Sequence, residues 1–158
     1  MVWSYFAREI IGPLIFCNEN KEENERINSN TYITILNSYL LPFEHTVCEL
    51  IGRPAVFQQD NAPIYTAKIT KEWFRTNKIV IMDWPANSPD LNPIENIWKQ
   101  LKDNIQSRSV FPRNINELKS ALKEKWDNLD CSHFEAVVVL MPWRINAVLE
   151  AGGGPTKY

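Results

Sequence analysis

At 158 residues, 44% of them hydrophobic and 23% charged, the chain is long enough to bury one core and too short for two ordinary domains. Its formal net charge of −2 excludes a global field that would draw in nucleic acid. The charge is uneven, however. Residues 1–60 hold 4 Lys and Arg against 8 Asp and Glu, and residues 61–158 hold 13 against 11, so any nucleic-acid surface is expected as a local stripe in the second part.

The chain opens on Val2-Trp3-Ser4-Tyr5-Phe6, an aromatic run that reads as a strand, and Gly12-Pro13 turns into Leu14-Ile15-Phe16 as a hairpin partner. The polar, acidic stretch from Asn18 to Asn30 reads as an exposed connection. Tyr32, Ile35, Leu36, Tyr39 and Leu40 recur at helical spacing. Pro42 is expected to end that run, and a shorter helix through Val47 and Leu50 to stop at Gly52. Ala55-Val56-Phe57 is a short strand leading into Asp60, broken by Asn61-Ala62-Pro63. Ile69, Trp73 and Phe74 mark another helix, and Ile79-Val80-Ile81-Met82 is a continuous apolar run of the buried-strand kind.

From there the pattern is helical. One helix starts near Pro93, with Ile94, Trp98, Leu101 and Ile105 on the core-facing stripe and Glu95, Lys99, Lys102 and Gln106 on a neighbouring face. A second starts near Asn114, where Glu117 completes a capping-box pattern. The last runs from Pro142 to Ala151 and meets Gly152-Gly153-Gly154. Residues 136–141 stand between two readings, strand by their β-branched side chains and helix by Ser132 and Glu135 ahead of them. Strands alternating with helices give an α/β class. The three cysteines, Cys17, Cys48 and Cys131, form no C-x-x-C pair and fit a reducing compartment, nucleus or cytoplasm. The apolar stretch Ile10–Cys17 is too short to span a bilayer, so no membrane association or targeting is expected.

Two loops built around carboxylates stand out. In Gln58-Gln59-Asp60-Asn61-Ala62-Pro63 an Asp sits at the carboxyl end of a strand, where open α/β sheets place their ligands. In Trp84-Pro85-Ala86-Asn87-Ser88-Pro89-Asp90-Leu91-Asn92-Pro93-Ile94-Glu95 three prolines stiffen a long turn into a helix start. Asn92 suits the cap, Pro93 the first helical position and Glu95 the first turn, where the helix dipole favours an ionised carboxylate. Taken singly, Asp60 is ordinary turn chemistry, and Glu95 is a capping partner of Asn92 or the mate of Lys99 in an i,i+4 pair.

Taken together, Gln-Gln-Asp-Asn-Ala-Pro at 58–63 and Trp-Pro-Ala-Asn-Ser-Pro-Asp-Leu-Asn-Pro-Ile-Glu-Asn-Ile-Trp-Lys-Gln-Leu-Lys at 84–102 closely resemble the catalytic domain of mariner-type DDE transposases, with 34 residues between Asp60 and Glu95. Met1-Val2-Trp3, Gly12-Pro13-Leu14, Tyr32 to Leu40, Phe111-Pro112 and the closing Gly-Gly-Gly-Pro-Thr-Lys-Tyr extend the resemblance over essentially the whole chain. It implies a ribonuclease H-like mixed sheet flanked by helices. It also implies two divalent ions, Mg²⁺ or Mn²⁺, held by carboxylates, with Asp60 matching the second metal ligand and Glu95 the third. DNA is the implied partner, with Lys99, Lys102 and Arg108 as candidate phosphate contacts.

The chain departs from the family pattern at its start. By the resemblance, the first acidic ligand and the first, central strand are expected ahead of the segment that Met1-Val2-Trp3 matches, and the family's upstream helix-turn-helix region is not expected within this chain. Residues 1–158 are therefore expected to form one partial catalytic domain, with sheet edges open to self-association. Asp83 and Asp90 are the other carboxylates near the motifs. The expected function is that of a transposase remnant that binds DNA, inactive by itself. A host-adopted nucleic-acid- or protein-binding module without catalysis is the alternative, and an upstream segment carrying the first strand is a third reading.

Overall fold

The computed structural model describes residues 1–7, 10–17, 27–85 and 88–157, which divide into two compact units. One comprises Met1–Tyr5 and Ile15–Ser88, the other Phe6–Leu14 and Pro89–Tyr158. The expected acidic connection lies outside the described residues up to Arg26. Among the described residues no helix is long and apolar enough to cross a membrane.

In the first unit, β1 (Val2–Trp3) pairs antiparallel with β4 (Ile15–Phe16), while β2 (Phe6–Ala7) and β3 (Ile10–Ile11) pair with each other in the second unit. The expected single hairpin is thus two short ladders, because the opening aromatic run breaks at Ser4-Tyr5. There the Tyr5 side chain turns inward and its hydroxyl donates to the Tyr39 carbonyl, 3.0 Å away. The third ladder, β5 (Val56–Phe57) with β6 (Val80–Ile81), is parallel, and the Met82 amide donates onward to the Phe57 carbonyl. The apolar run around β6 is not buried throughout as expected. Ile79 is buried, but Val80 and Met82 are exposed, as is Val56 across the ladder, so this pair covers the core with one face only.

Helix α1 (Ser29–Ile35) starts from Asn28, whose side chain accepts from the Thr31 amide. It does not stop at Pro42. A π-helical stretch, Leu36–Leu40, joins it directly to α2 (Leu41–Ile51), and Pro42 sits in the first turn of α2, where its missing N–H costs least. Gly52, left-handed at φ 66°, closes α2 as expected. Two further helices, α3 (Pro63–Thr66) and α4 (Lys68–Thr76), bracket Ala67. On α4 the core face is Thr70 and Phe74, one turn apart, and Ile69 is exposed. Tyr32, Leu36, Leu40 and Phe74 are almost fully buried with Trp3, Tyr5 and Ile79 around them. Each such apolar side chain contributes roughly 1.5–3 kcal/mol relative to exposure.

Among its described residues, the regular structure of the second unit is helical apart from β2 and β3. It holds a 3₁₀ turn (Pro89–Leu91), α5 (Ile94–Gln106), α6 (Ile115–Asp127), α7 (Cys131–Val139) and α8 (Met141–Glu150). Asn114 caps α6 and Glu117 answers it: the Glu117 amide donates to Asn114 Oδ1, while its carboxylate accepts from the Arg113 amide and from Asn114 Nδ2. The ambiguous 136–141 region is helical, and its cap is Asp130 rather than Ser132, whose amide and hydroxyl both donate to the Asp130 carboxylate. The stripe that α5 buries is Ile97, Leu101 and Ile105, with Trp98 half-buried beside it. Leu101 and Ile105 are buried as the sequence led one to expect, whereas Ile94 and Trp98, expected with them, are only partly buried and Ile97 takes their place.

Trp126 ties this unit together. Its ring stacks on Trp98 at 5.5 Å and meets Phe134 edge-on at 5.6 Å, and its indole Nε1 donates 3.0 Å to the Gly12 carbonyl. Phe134 in turn packs on Phe6 of β2. One side chain thus fixes α5, α7 and the β2–β3 segment to α6. Trp126→Phe, which keeps an aromatic ring but withdraws this donor from a buried carbonyl, is expected to destabilise by about 1–3 kcal/mol in equilibrium denaturation monitored on the second unit.

Candidate active site

The Asp60 loop leaves β5 with three separate restraints. Upstream, the Tyr32 hydroxyl donates to Gln59 Oε1 across 2.8 Å. At Asp60 itself, Oδ1 accepts from the Ala62 amide at 2.9 Å, closing an Asx turn that feeds Pro63 into α3. Downstream, Asn61 Nδ2 donates 2.8 Å to the Trp84 carbonyl just beyond β6. The result is an exposed carboxylate on a pinned loop, with Oδ2 receiving no hydrogen bond among the described residues.

Tyr32 can serve as the fixed donor because it is 1% exposed. Burial pushes its hydroxyl far above the ordinary phenol range, and the neighbouring Tyr65 and Asp60 add to the rise. It therefore stays protonated. Tyr65 lies against it with ring centroids 4.5 Å apart. None of Tyr32, Gln59, Asn61 or Trp84 is marked as a loop restraint by sequence alone, because their partners lie 23 to 27 positions away. Tyr32→Phe keeps the packing and removes the donor. The expected outcome is a loss of about 1 kcal/mol and faster hydrogen exchange at the Ala62 amide with α2 unchanged, whereas unaltered exchange at Ala62 would mean that the Asx turn holds itself.

Glu95 lies in the second unit, exposed in the first turn of α5. The helix begins at Ile94 with Pro93, not Asn92, as its cap residue, one position later than the sequence suggested, although Pro93 already has helical dihedrals, φ −64° and ψ −26°. Its N–H-less nitrogen suits a place where no intrahelical donor is needed. The Asn92 carbonyl accepts from the Glu95 amide at 3.2 Å and the Pro93 carbonyl from Asn96 at 3.3 Å, while Pro93 itself provides no side-chain cap. Lys99 and Lys102 are exposed on the same helix, one and two turns further on. Arg108 follows the helix end, and its Nη1 pairs with Glu124 Oε2 at 3.1 Å on the partly exposed surface.

Asp90, a spare carboxylate in the sequence reading, is spoken for as well. Its Oδ2 accepts from both the amide and the hydroxyl of Thr156, which hold it below the usual carboxylate range. Asp83 follows β6 and is exposed. Among the described residues no three His, Cys, Asp or Glu side chains gather in the manner of a metal cluster. The donors that do face solvent at the two motifs, Asp60 and Glu95, are carboxylate oxygens, the chemistry a hard divalent cation takes.

Comparison with known proteins bears on both motifs. The family model described as DDE superfamily endonuclease matches residues 9–119. The Tcb2 transposase of Caenorhabditis briggsae is 35% identical over all 158 residues, and the Tc1 transposase of Caenorhabditis elegans 31%, each match covering 54% of the relative. The chain thus spans about half the length of these curated relatives. Among solved structures, the catalytic domain of Mos1 mariner transposase superposes with a TM-score of 0.81 at 17% identity, covering 99% of this chain and 75% of that one. The Mos1 catalytic domain with raltegravir and Mg gives 0.80, again at 17% identity, over 99% of this chain and 76% of that one. The fold is the mixed α/β, ribonuclease H-like one of that catalytic domain. The chain belongs to the DDE superfamily endonucleases, as a transposase domain of the mariner/Tc1 type.

Proposed function

We propose that this domain contributes to metal-dependent cleavage and strand transfer of DNA phosphodiesters, with Asp60 and Glu95 as two of the carboxylate ligands. The observation that carries this reading is the pinned Asp60 loop, where one carboxylate oxygen closes the turn and the other receives no hydrogen bond among the described residues. A carboxylate used only as a turn former needs neither the buried Tyr32 donor nor the Asn61 tether. Support also comes from relatives: Mos1 catalytic-domain structures are described with Mg and with Mn, and Mos1 is described in paired-end and strand-transfer complexes.

Bound Mg²⁺ or Mn²⁺ would supply Lewis-acid activation of the attacking oxygen and stabilisation of the leaving one. The chain's own residues do the positioning. Asp60 offers its oxygen from a loop that Tyr32 and Asn61 keep from collapsing. Glu95 offers its oxygens from a helix start whose dipole favours the ionised form. These 158 residues supply two carboxylates that match the family's ligands, so purified by themselves they are expected to hold metal weakly and to nick DNA immeasurably slowly. In the ¹⁵N-labelled chain, Mn²⁺ is expected to broaden the amide signals around Asp60 and Glu95, and Asp60→Asn and Glu95→Gln each to remove the effect at the substituted loop. Equal broadening in the variants, or strong metal-dependent nicking that survives Glu95→Gln, would refute the assignment.

Lys99 and Lys102 extend the same exposed helix from Glu95 and would take DNA phosphates beside it. They form no ion pair among the described residues, unlike Arg108. Lys99→Ala with Lys102→Ala is expected to lower the slope of log affinity against log salt by about two units, one per phosphate contact, with sequence preference unchanged. An unchanged slope would leave the two lysines as solvated surface. A second copy, where present, would pair at the β5–β6 ladder, whose Val56, Val80 and Met82 side chains are exposed.

A further inference from the structure

The C-terminal tail is built to reach back to the proline loop. Helix α8 ends in paired hydrogen bonds, Gly152 to the Leu149 carbonyl and Gly153 to the Val148 carbonyl. Gly152 and Gly153 lie at φ 57° and 82°, left-handed values that a side chain would strain. The chain reverses there and is held once more by Gly154 donating to the Ala151 carbonyl. That reversal delivers Thr156 to Asp90, where its amide donates at 2.8 Å and its hydroxyl at 2.7 Å to the same carboxylate oxygen, Oδ2. From α8 the buried Arg144 reaches the other side of the residue, its Nη1 donating to the Asp90 carbonyl at 3.4 Å.

Asp90 occupies the middle of the 3₁₀ turn that sets the direction of α5. The turn closes through the Asn92 amide on the Pro89 carbonyl, and the next two bonds are those of Glu95 and Asn96. Everything between the gripped carboxylate and Glu95 is short and proline-stiffened, so a shift at Asp90 is passed on with little chain to absorb it. Two donors on one ionised oxygen are among the stronger neutral–charged contacts available to a protein surface. The lowered pKa of Asp90 follows from them and keeps the acceptor charged at neutral pH.

We propose that Thr156, acting through Asp90, is a positioning residue for Glu95, so that the tail at 152–157 is part of the apparatus that presents this carboxylate. The proposal rests on the reading of Glu95 as a metal ligand, and the test separates the two.

The ¹⁵N-labelled 158-residue chain is compared with Thr156→Val, which removes the hydroxyl donor, and with Thr156→Ser, which retains it. In Thr156→Val, hydrogen exchange at the Asn92, Glu95 and Asn96 amides is expected to rise about tenfold while the α6 amides stay unchanged. Mn²⁺ broadening is expected to fall around Glu95 and to persist around Asp60. Thr156→Ser is expected to restore both. Unaltered exchange at the three amides, or Mn²⁺ broadening around Glu95 equal to that of the unsubstituted chain, would overturn the proposal. Absence of Mn²⁺ broadening at both carboxylates in the unsubstituted chain would instead overturn the metal reading, and the exchange measurement would still decide whether Thr156 holds the turn.

Discussion

A phenol kept protonated by burial is the constraint on which the first unit turns. Tyr32 sits inside a cluster of aromatic and aliphatic side chains, and its one polar atom has to be satisfied there. Gln59 satisfies it. The energetic demand of the core is thereby converted into a restraint on the residue next to Asp60, so that packing and presentation of the carboxylate are the same interaction seen from two ends. The Asn61–Trp84 bond plays the complementary part on the far side of the loop, linking it to the segment that follows the parallel neighbour of β5.

The second unit solves a similar problem with an indole. Trp126 brings apolar area to three neighbours and a single N–H to a backbone carbonyl that would otherwise lose this donor inside the unit. Around that anchor α5 can bury Ile97, Leu101 and Ile105 while leaving Glu95, Lys99 and Lys102 in solvent. An exposed carboxylate and two exposed lysines on a helix whose opposite side is fully packed have their orientation fixed by apolar contacts they do not take part in.

How far the sequence foretold these arrangements depends on how local their causes are. The capping of α6 by Asn114 and Glu117 and the stop at Gly52 were legible, because each is decided within a few residues. The strand ahead of Asp60 and the turn after it were legible for the same reason. Pro42 was misread as a stop because the compensation lies in the backbone, as a π turn that no side-chain pattern announces. On α5 the buried positions Leu101 and Ile105 were legible but Trp98 was read in place of Ile97, because shape decides: Ile97 fits wholly inside and the larger indole lies half out, stacked on Trp126. At the carboxylates, the motifs singled out Asp60 and Glu95 but were silent on Tyr32, Asn61 and Thr156. Those restraints span 23 to 66 positions and exist only once the chain has folded.

The π stretch carries a consequence for how this domain tolerates changes of length. Tyr32, Leu36 and Leu40 follow one another at steps of four, which in a straight α-helix would creep around the axis by about 40° each time. The wider turn absorbs that creep, and all three remain buried. Loss of a single residue between Leu36 and Leu40 would let the stretch tighten to ordinary α geometry, where fewer residues complete the turn, so the phase of everything after it would be nearly kept. Phe43 would stay on Tyr5 and Val47 in the interior, whereas loss of a residue within α2, which has no wide turn to take it up, would rotate the rest of that helix by about 100°. The same deletion in the exposed segment between Ser109 and Arg113, ahead of the α6 cap, would change no helix phase. Deletions of equal size would therefore differ in outcome according to whether they fall in the π stretch or a loop, which absorb them, or inside a straight α register, which does not.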